Sequence, residues 1–173
     1  MRNFRTLLAL CTILTAGAFH GQLAHAQSAS PRALVPALSA RLVLTGDPTW
    51  RSRWQATPNQ LPHFVETDEV TLGQRIEILT LVTAPKPDAL GLANVECDLT
   101  VRRPDGSISA QQRGLNCLRR KVSGDARATY LSTATMKYSS DATDQKGVWT
   151  VNVRVRDKNA RTETDVDAAF TNK

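Results

Sequence analysis

The alternation of apolar and polar positions is strongest in residues 144–157, DQKGVWTVNVRVRD. After Gly147, Trp149, Val151, Val153 and Val155 fall on one side of an extended chain and Thr150, Asn152, Arg154 and Arg156 on the other, the period-2 pattern of a strand buried on one face. Residues 161–170 follow with Thr162, Thr164, Val166, Ala168 and Phe170 on one face and Glu163, Asp165 and Asp167 on the other. The two segments are predicted to form an antiparallel hairpin. A loop of residues 158–161 sets Asp157 opposite Thr162, Trp149 opposite Phe170, Arg156 opposite Glu163 and Arg154 opposite Asp165, so that both faces are satisfied together. A shorter loop, Lys158-Asn159, keeps the faces but sets Arg156 against Arg161, a like-charge pair. A one-residue slip would bury the arginines in place of the valines. The arginines of this strand therefore read as partners of Glu163, Asp165 and Asp167, in a structural role.

The same pattern, weaker, runs through the rest of the chain. Residues 41–44 make a first short strand, and Gly46-Asp47-Pro48 breaks it. In TWRSRWQAT, residues 49–57, an extended chain would place Trp50, Ser52 and Trp54 on one face and Arg51 and Arg53 on the other. Pro58, Asn59 and Pro62 interrupt it. Gly73 opens a strand in which Ile76, Ile78, Thr80 and Val82 alternate with Arg75, Glu77, Leu79 and Leu81. Apolar residues on both faces near its end predict a central position, and Pro85 and Pro87 end it because proline lacks the N–H a ladder needs. Ala93, Val95, Cys97, Leu99 and Val101 alternate with Asn94, Glu96, Asp98, Thr100 and Arg102. Pro104-Asp105-Gly106 is a turn. Residues 107–110 are expected to return as a short strand, 111–114 to loop, and 115–122 to carry Cys117 and the basic run Arg119-Arg120-Lys121, read as a solvated, charged loop. Tyr130, Ser132, Ala134, Met136 and Tyr138 share a side, and residues 139–146 are loop. The pattern shows no repeat, heptad or amphipathic helix.

These elements predict an all-β domain, an antiparallel β-sandwich of about seven to eight strands with Greek-key connections. On Asp144-x-x-Gly147-x-Trp149-x-Val151 leading into a last hairpin, and on Pro104-Asp105-Gly106 after a long middle strand, the chain resembles bacterial immunoglobulin-like and macroglobulin-like domains over most of residues 40–173. Two departures set it apart from antibody-type domains. Val151 stands about where their second cysteine lies, and Cys97 and Cys117 are too near in sequence for their inter-sheet bridge. The resemblance therefore transfers no functional residue.

The N-terminus changes the setting. Arg2 and Arg5, a mostly apolar run over residues 7–19 and Ala24-His25-Ala26 read as an export signal over residues 1–26, with a flexible N-terminal arm at 27–38 and one domain at 39–173. Cys11 does not sit in a lipobox, since Leu10 occupies a small-residue position. No later segment is apolar enough to span a membrane. The mature product is expected in the periplasm or outside the cell, where Cys97 and Cys117 are expected to form a disulfide rather than a redox pair, because their spacing is unlike CxxC. Loss of the two leader arginines lowers the net charge from +6 to +4.

Candidate chemistry is sparse. His63 is the only histidine left after processing, which removes most metal and triad arrangements, including a His63–Met136 copper pair. No serine lies in a nucleophile-elbow setting, no glycine-rich phosphate loop is present, and Glu66, Asp68 and Glu69 lack the spacing of a Ca²⁺ loop. No enzyme, cofactor or metal site is expected. Two stretches remain as binding candidates. Trp50 and Trp54, with Arg51 or Arg53, would make a stacking platform for sugar rings if both rings face solvent, and core residues if they do not. Arg119, Arg120 and Lys121, with Arg113, would attract lipopolysaccharide, an anionic glycan or an acidic partner, and the export signal argues against nucleic acid. The expected function is a non-catalytic exported binding or accessory module recognising another envelope or secreted protein, with a carbohydrate-binding module built on Trp50 and Trp54 as the alternative.

Overall fold

The computed structural model describes residues 37–56 and 61–173. The expected leader, all of the arm except its last two residues, and Pro58 and Asn59 lie outside the described residues.

The last two strands, β8 (Gly147–Asp157) and β9 (Thr162–Asn172), form the expected hairpin. Its register pairs Asp157 with Thr162, Arg156 with Glu163, Arg154 with Asp165 and Trp149 with Phe170. Trp149, Val151, Val153 and Val155 are all buried. On the far side of β8 lies β4 (Leu92–Arg102), and beyond it β5 (Ile108–Lys121), joined to β4 through the turn in which the Gly106 N–H donates to the Arg103 carbonyl at 2.9 Å. A two-residue strand β2 (Glu69–Val70) runs parallel to the end of β9 and completes a sheet of order β2-β9-β8-β4-β5. The facing sheet, the first in chain order where the five-stranded one is the second, is built on β3 (Arg75–Thr83), flanked by β1 (Ser39–Thr45) on one side and by β6 (Thr129–Leu131) and β7 (Met136–Ser139) on the other.

Among the connections that cross between the sheets are residues 84–91, 122–128 and 140–146, as in the Greek-key arrangement expected. One core lies between the sheets, with Leu42, Ile76, Ile78, Val82, Val95, Leu118, Val151, Val153 and Phe170 among its buried residues. At its lower end Tyr138 packs 5.0 Å from Trp149 and 4.8 Å from Phe170, while the Trp149 ring N–H donates to the Gln145 carbonyl.

Four local expectations need correction. Residues 50–56 form a helix, α1 (Trp50–Ala56), not an extended segment. Trp50 and Trp54 are four apart, a spacing that repeats on one face of a helix as well as of a strand, and Arg, Gln and Ala around them favour the helix. The helix starts where the Arg53 N–H reaches the Thr49 carbonyl, behind an Asp47 carboxylate that accepts both the N–H and the hydroxyl of Thr49. It lies on the outer face of the first sheet, where Trp50 and Phe64 pack on Val43, Leu79 and Leu81. That second core explains why β3 is apolar on both sides.

Second, residues 108–121 are one strand. The loop expected at 111–114 is a bulge, with Gly114 at φ 64° and its N–H given to the Asp98 carboxylate at 2.8 Å. Third, Arg119, Arg120 and Lys121 lie on that edge strand rather than in a loop. Fourth, residues 130–138 divide into β6 and β7, and with β2 the strands number nine among the described residues. Cys97 and Cys117 are bonded, with Cα atoms 5.8 Å apart, and tie β4 to β5 within one sheet.

Candidate interaction surface

Register arranges the outward side chains of β4, β5, β8 and β9 in rows across the second sheet. One row holds Glu96, Arg156 and Glu163, the next Asp98, Arg154 and Asp165, and the next Gln111, Thr100, Asn152 and Asp167. Charges in the middle of this face are paired across strands. Arg154 reaches Asp165 at 3.1 Å, Lys158 reaches Glu96 at 3.1 Å, and the Asn152 amide donates to Asp167 at 2.8 Å. Arg156 stands opposite Glu163 but does not bond it. Its guanidinium turns to β4 and donates to both oxygens of Asp98, at 2.6 and 2.7 Å. Asp98 is the better acceptor because the Gly114 N–H already fixes its carboxylate at the bulge, leaving the fork geometry of a bidentate pair. The last strand thus supplies an acid to Arg154 alone.

The Arg156 guanidinium first, and the Gly114 N–H second, hold the Asp98 carboxyl down at about 2. A carboxylate whose folded-state pKa lies below its unfolded value near 3.9 contributes stability that is present above about pH 4 and is lost as pH falls toward 2. Solvent screening of this part-exposed pair limits the contribution to about 1 kcal/mol. Asp98→Asn is therefore expected to be about 1 kcal/mol less stable than the parent near neutrality and to converge with it by about pH 2 in urea titrations. A gap that stays constant with pH would assign the loss to something other than the ion pair.

Four further cations of this sheet lie on β5. Arg113, Arg119, Arg120 and Lys121 are exposed and make no ion pair among the described residues. Arg119 sits opposite Asn94 on the outer face, Arg120 opposite buried Ala93 on the inner side, and Lys121 opposite Leu92. The Val122 N–H donates to the Gly91 carbonyl, which brings the loop of residues 84–91 against this end of β5. That loop presents Leu90, 75% exposed, and Lys86. The same pole carries Arg127 and the hairpin loop with Arg161, whose φ of 56° is unusual for a residue other than glycine. Buried Asp157 ties the two loops together by accepting the N–H groups of Lys86, Asn159 and Ala160. A shallow cleft of about 390 Å³ lies between Arg156, Lys158, Arg161 and Glu163.

Leu90, Lys86 and Arg161 escape a reading by periodicity because they belong to loops. Their only sequence signal is an apolar residue left between Asp88 and Gly91 in a proline-broken stretch, and an arginine where a turn favours glycine or asparagine.

The tryptophan segment lies elsewhere, on the outer face of the first sheet, and is not brought together with the basic end of β5. Trp50 is 3% exposed, with the Arg51 guanidinium 4.5 Å over its ring. Trp54 is half-buried and stacks on Phe64 at 6.4 Å. Arg53 bonds Asp47 at 3.0 Å. Two solvent-facing rings side by side, the geometry a sugar platform needs, are thus not formed by this pair. His63 is exposed beside Phe64, and Met136 packs against the main core. No described helix is long and apolar enough to cross a membrane.

The sequence matches no protein-family model and no curated protein. Among solved structures it is similar to a CARDB domain from Pyrococcus furiosus, at 11% identity and a TM-score of 0.42 over 81% of this chain and 90% of that one. It is similar also to a Niemann-Pick type C2 protein from Japanese carpenter ant, at 11% identity and 0.41 over 78% and 92%. An immunoglobulin-like protein from Pseudomonas aeruginosa shares 13% identity at 0.36 over 81% and 99%. TM-scores this low decide nothing about the chain. Its own strand order, β1-β3-β6 facing β2-β9-β8-β4-β5 with a parallel pairing of β2 to β9, is that of an immunoglobulin-like β-sandwich.

Proposed function

We propose that this protein is an exported, non-catalytic accessory module that binds an acidic patch on another envelope or secreted protein. The observation that carries the reading is the exposed run Arg119-Arg120-Lys121, without an ion pair among the described residues, at the end of β5 to which the loop presenting exposed Leu90 is bonded. A cation cluster around an apolar anchor suits a protein surface, where complementary charge steers encounter and a buried side chain slows release. The three loops at this pole are short and tied to the sheets, so the surface is ordered before binding. The intra-sheet disulfide is compatible with an oxidising compartment.

Affinity capture from envelope extract tests the reading. One acidic protein is expected to be retained in repeated captures, to elute as salt rises, and to bind at least about tenfold more weakly to the Arg119→Glu/Arg120→Glu/Lys121→Glu variant. Retention that ignores this variant would overturn the assignment. Oligosaccharide-dependent shifts in tryptophan fluorescence that vanish in Trp54→Ala would support a glycan ligand in its place.

A further inference from the structure

The outer strands of the second sheet differ in the sign of the charge they carry, Asp165 of β9 being already bonded to Arg154 and Asp167 to Asn152. Strand β5, at one edge, carries Arg113, Arg119, Arg120 and Lys121 and no acid, whereas β9, next to the other edge, carries Glu163, Asp165 and Asp167 and no cation. Both edges are partly open. On β9 the Thr171 N–H donates outward to the Asp68 carbonyl, so by the period of two the main-chain groups of Glu163, Asp165 and Asp167 also point away from β8. Strand β2 covers only Thr171 and Asn172. On β5 the Asn116 and Cys117 carbonyls accept bonds from Thr133, which closes the upper part of the edge. Residues 108–115 lie below that point, and 108–114 are exposed on both faces.

We propose that copies of this chain associate head to tail, the open stretch of β5 in one copy lying antiparallel against the acidic β9 edge of the next. Direction fits, since three successive antiparallel pairings leave β9 and β5 running opposite ways. Level fits as well. Arg113 and Gly114 oppose Asp98 at the bulge, in the row that ends at Asp165, so a copy displaced sideways along the sheet brings its Asp165 level with Arg113. Gln111 meets the level of Asp167 by the same construction. One row lower, Ile108, 46% exposed, shares the row of Ala169. There, between β1 and β9, lies a cleft of about 270 Å³ lined by Leu42, Leu44 and Ala168 with Glu66 and Asp68 at its rim, a receptor for an apolar side chain on a basic strand.

Protected edges ordinarily carry one sign of charge to repel copies of themselves, and opposite signs on opposite edges invert that effect. The bulges shorten the run that can pair, so the contact is weak and strongly screened. Because the surfaces differ, the contact does not close after two copies.

Sedimentation of the purified protein decides this independently of the partner-binding reading. At low ionic strength the average mass should rise with concentration past that of a dimer, and return to monomer at about 0.5 M salt. Ile108→Ser/Arg113→Glu and Glu163→Lys/Asp167→Lys, all exposed positions, should each be monomeric with thermal unfolding close to the parent. Mixed in equal amounts they should give a dimer and nothing larger, since each retains one intact edge. Arg119→Glu/Arg120→Glu/Lys121→Glu should still self-associate. A parent monomeric at all concentrations, association surviving in either edge variant, or a mixture that stays monomeric would overturn the proposal.

Discussion

Val153→Asp should lower the stability of the domain by about 4 kcal/mol or more, whereas Arg154→Ala, one position along, should lower it by less than about 1 kcal/mol. Val153 is 1% exposed at the middle of β8, between Leu99 of β4 and Val166 of β9, with the facing sheet behind it. An aspartate there loses the apolar burial of the valine and either keeps an uncompensated charge or takes up a proton to avoid it. Arg154 points the other way and bonds Asp165 across a side-chain pair that is 49% and 43% exposed, a setting in which ion pairs are worth little. Against a typical total of about 5–15 kcal/mol, the first change leaves a marginal domain and the second an ordinary one. Guanidinium unfolding midpoints with unchanged slope would measure both. Similar losses for the two variants would mean that the facing of β8 has been misassigned.

The hairpin was legible to the residue because two constraints, buried valines and paired charges, agreed on one register. Burial of β3 on both sides was legible too, though its cause was not: the outer cover is α1, and Trp50, Ser52 and Trp54 satisfy the two periods equally over five positions. Short segments with a polar residue at the deciding place carry too little pattern to separate helix from strand. The bulge at Gly114 was missed for a related reason. An isolated glycine and two glutamines look like a loop, while the bond that holds the strand together there comes from Asp98, sixteen residues away. Arg156 shows the limit of pairwise register: its opposite number was read correctly, but long side chains choose among diagonal neighbours, and a carboxylate already oriented by a main-chain N–H wins over one that is not. The basic run is visible in the sequence, whereas the neighbouring loop with Leu90 is brought to it by the bond from the Val122 N–H to the Gly91 carbonyl, which no local pattern signals.

Cys97→Ala/Cys117→Ala should cost roughly 3 kcal/mol, the loop-closure value for a bridge spanning twenty residues, and lower the melting temperature by about 10 °C. The position of the bond gives the loss a direction. Register shifts fall between Val95 and Glu96 and between Cys97 and Leu99, so the β4–β5 ladder is interrupted on both sides of the bridge, and the covalent link holds the strands where hydrogen bonds are fewest. Hydrogen exchange should therefore quicken most in β5, while β8, held by β4 and β9 at once, changes only with global stability. Labelling the denatured, unreduced parent should find neither Cys97 nor Cys117 free, and stoichiometric labelling of either would remove the premise. Because Arg119, Arg120 and Lys121 follow the bridge within four residues, the same variant should also weaken partner retention as β5 frays, and should do so more at 37 °C than in the cold. Loss of stability spread evenly through both sheets, with β5 exchanging no faster than β8, would show that the bridge merely limits the unfolded chain and does not position the basic surface.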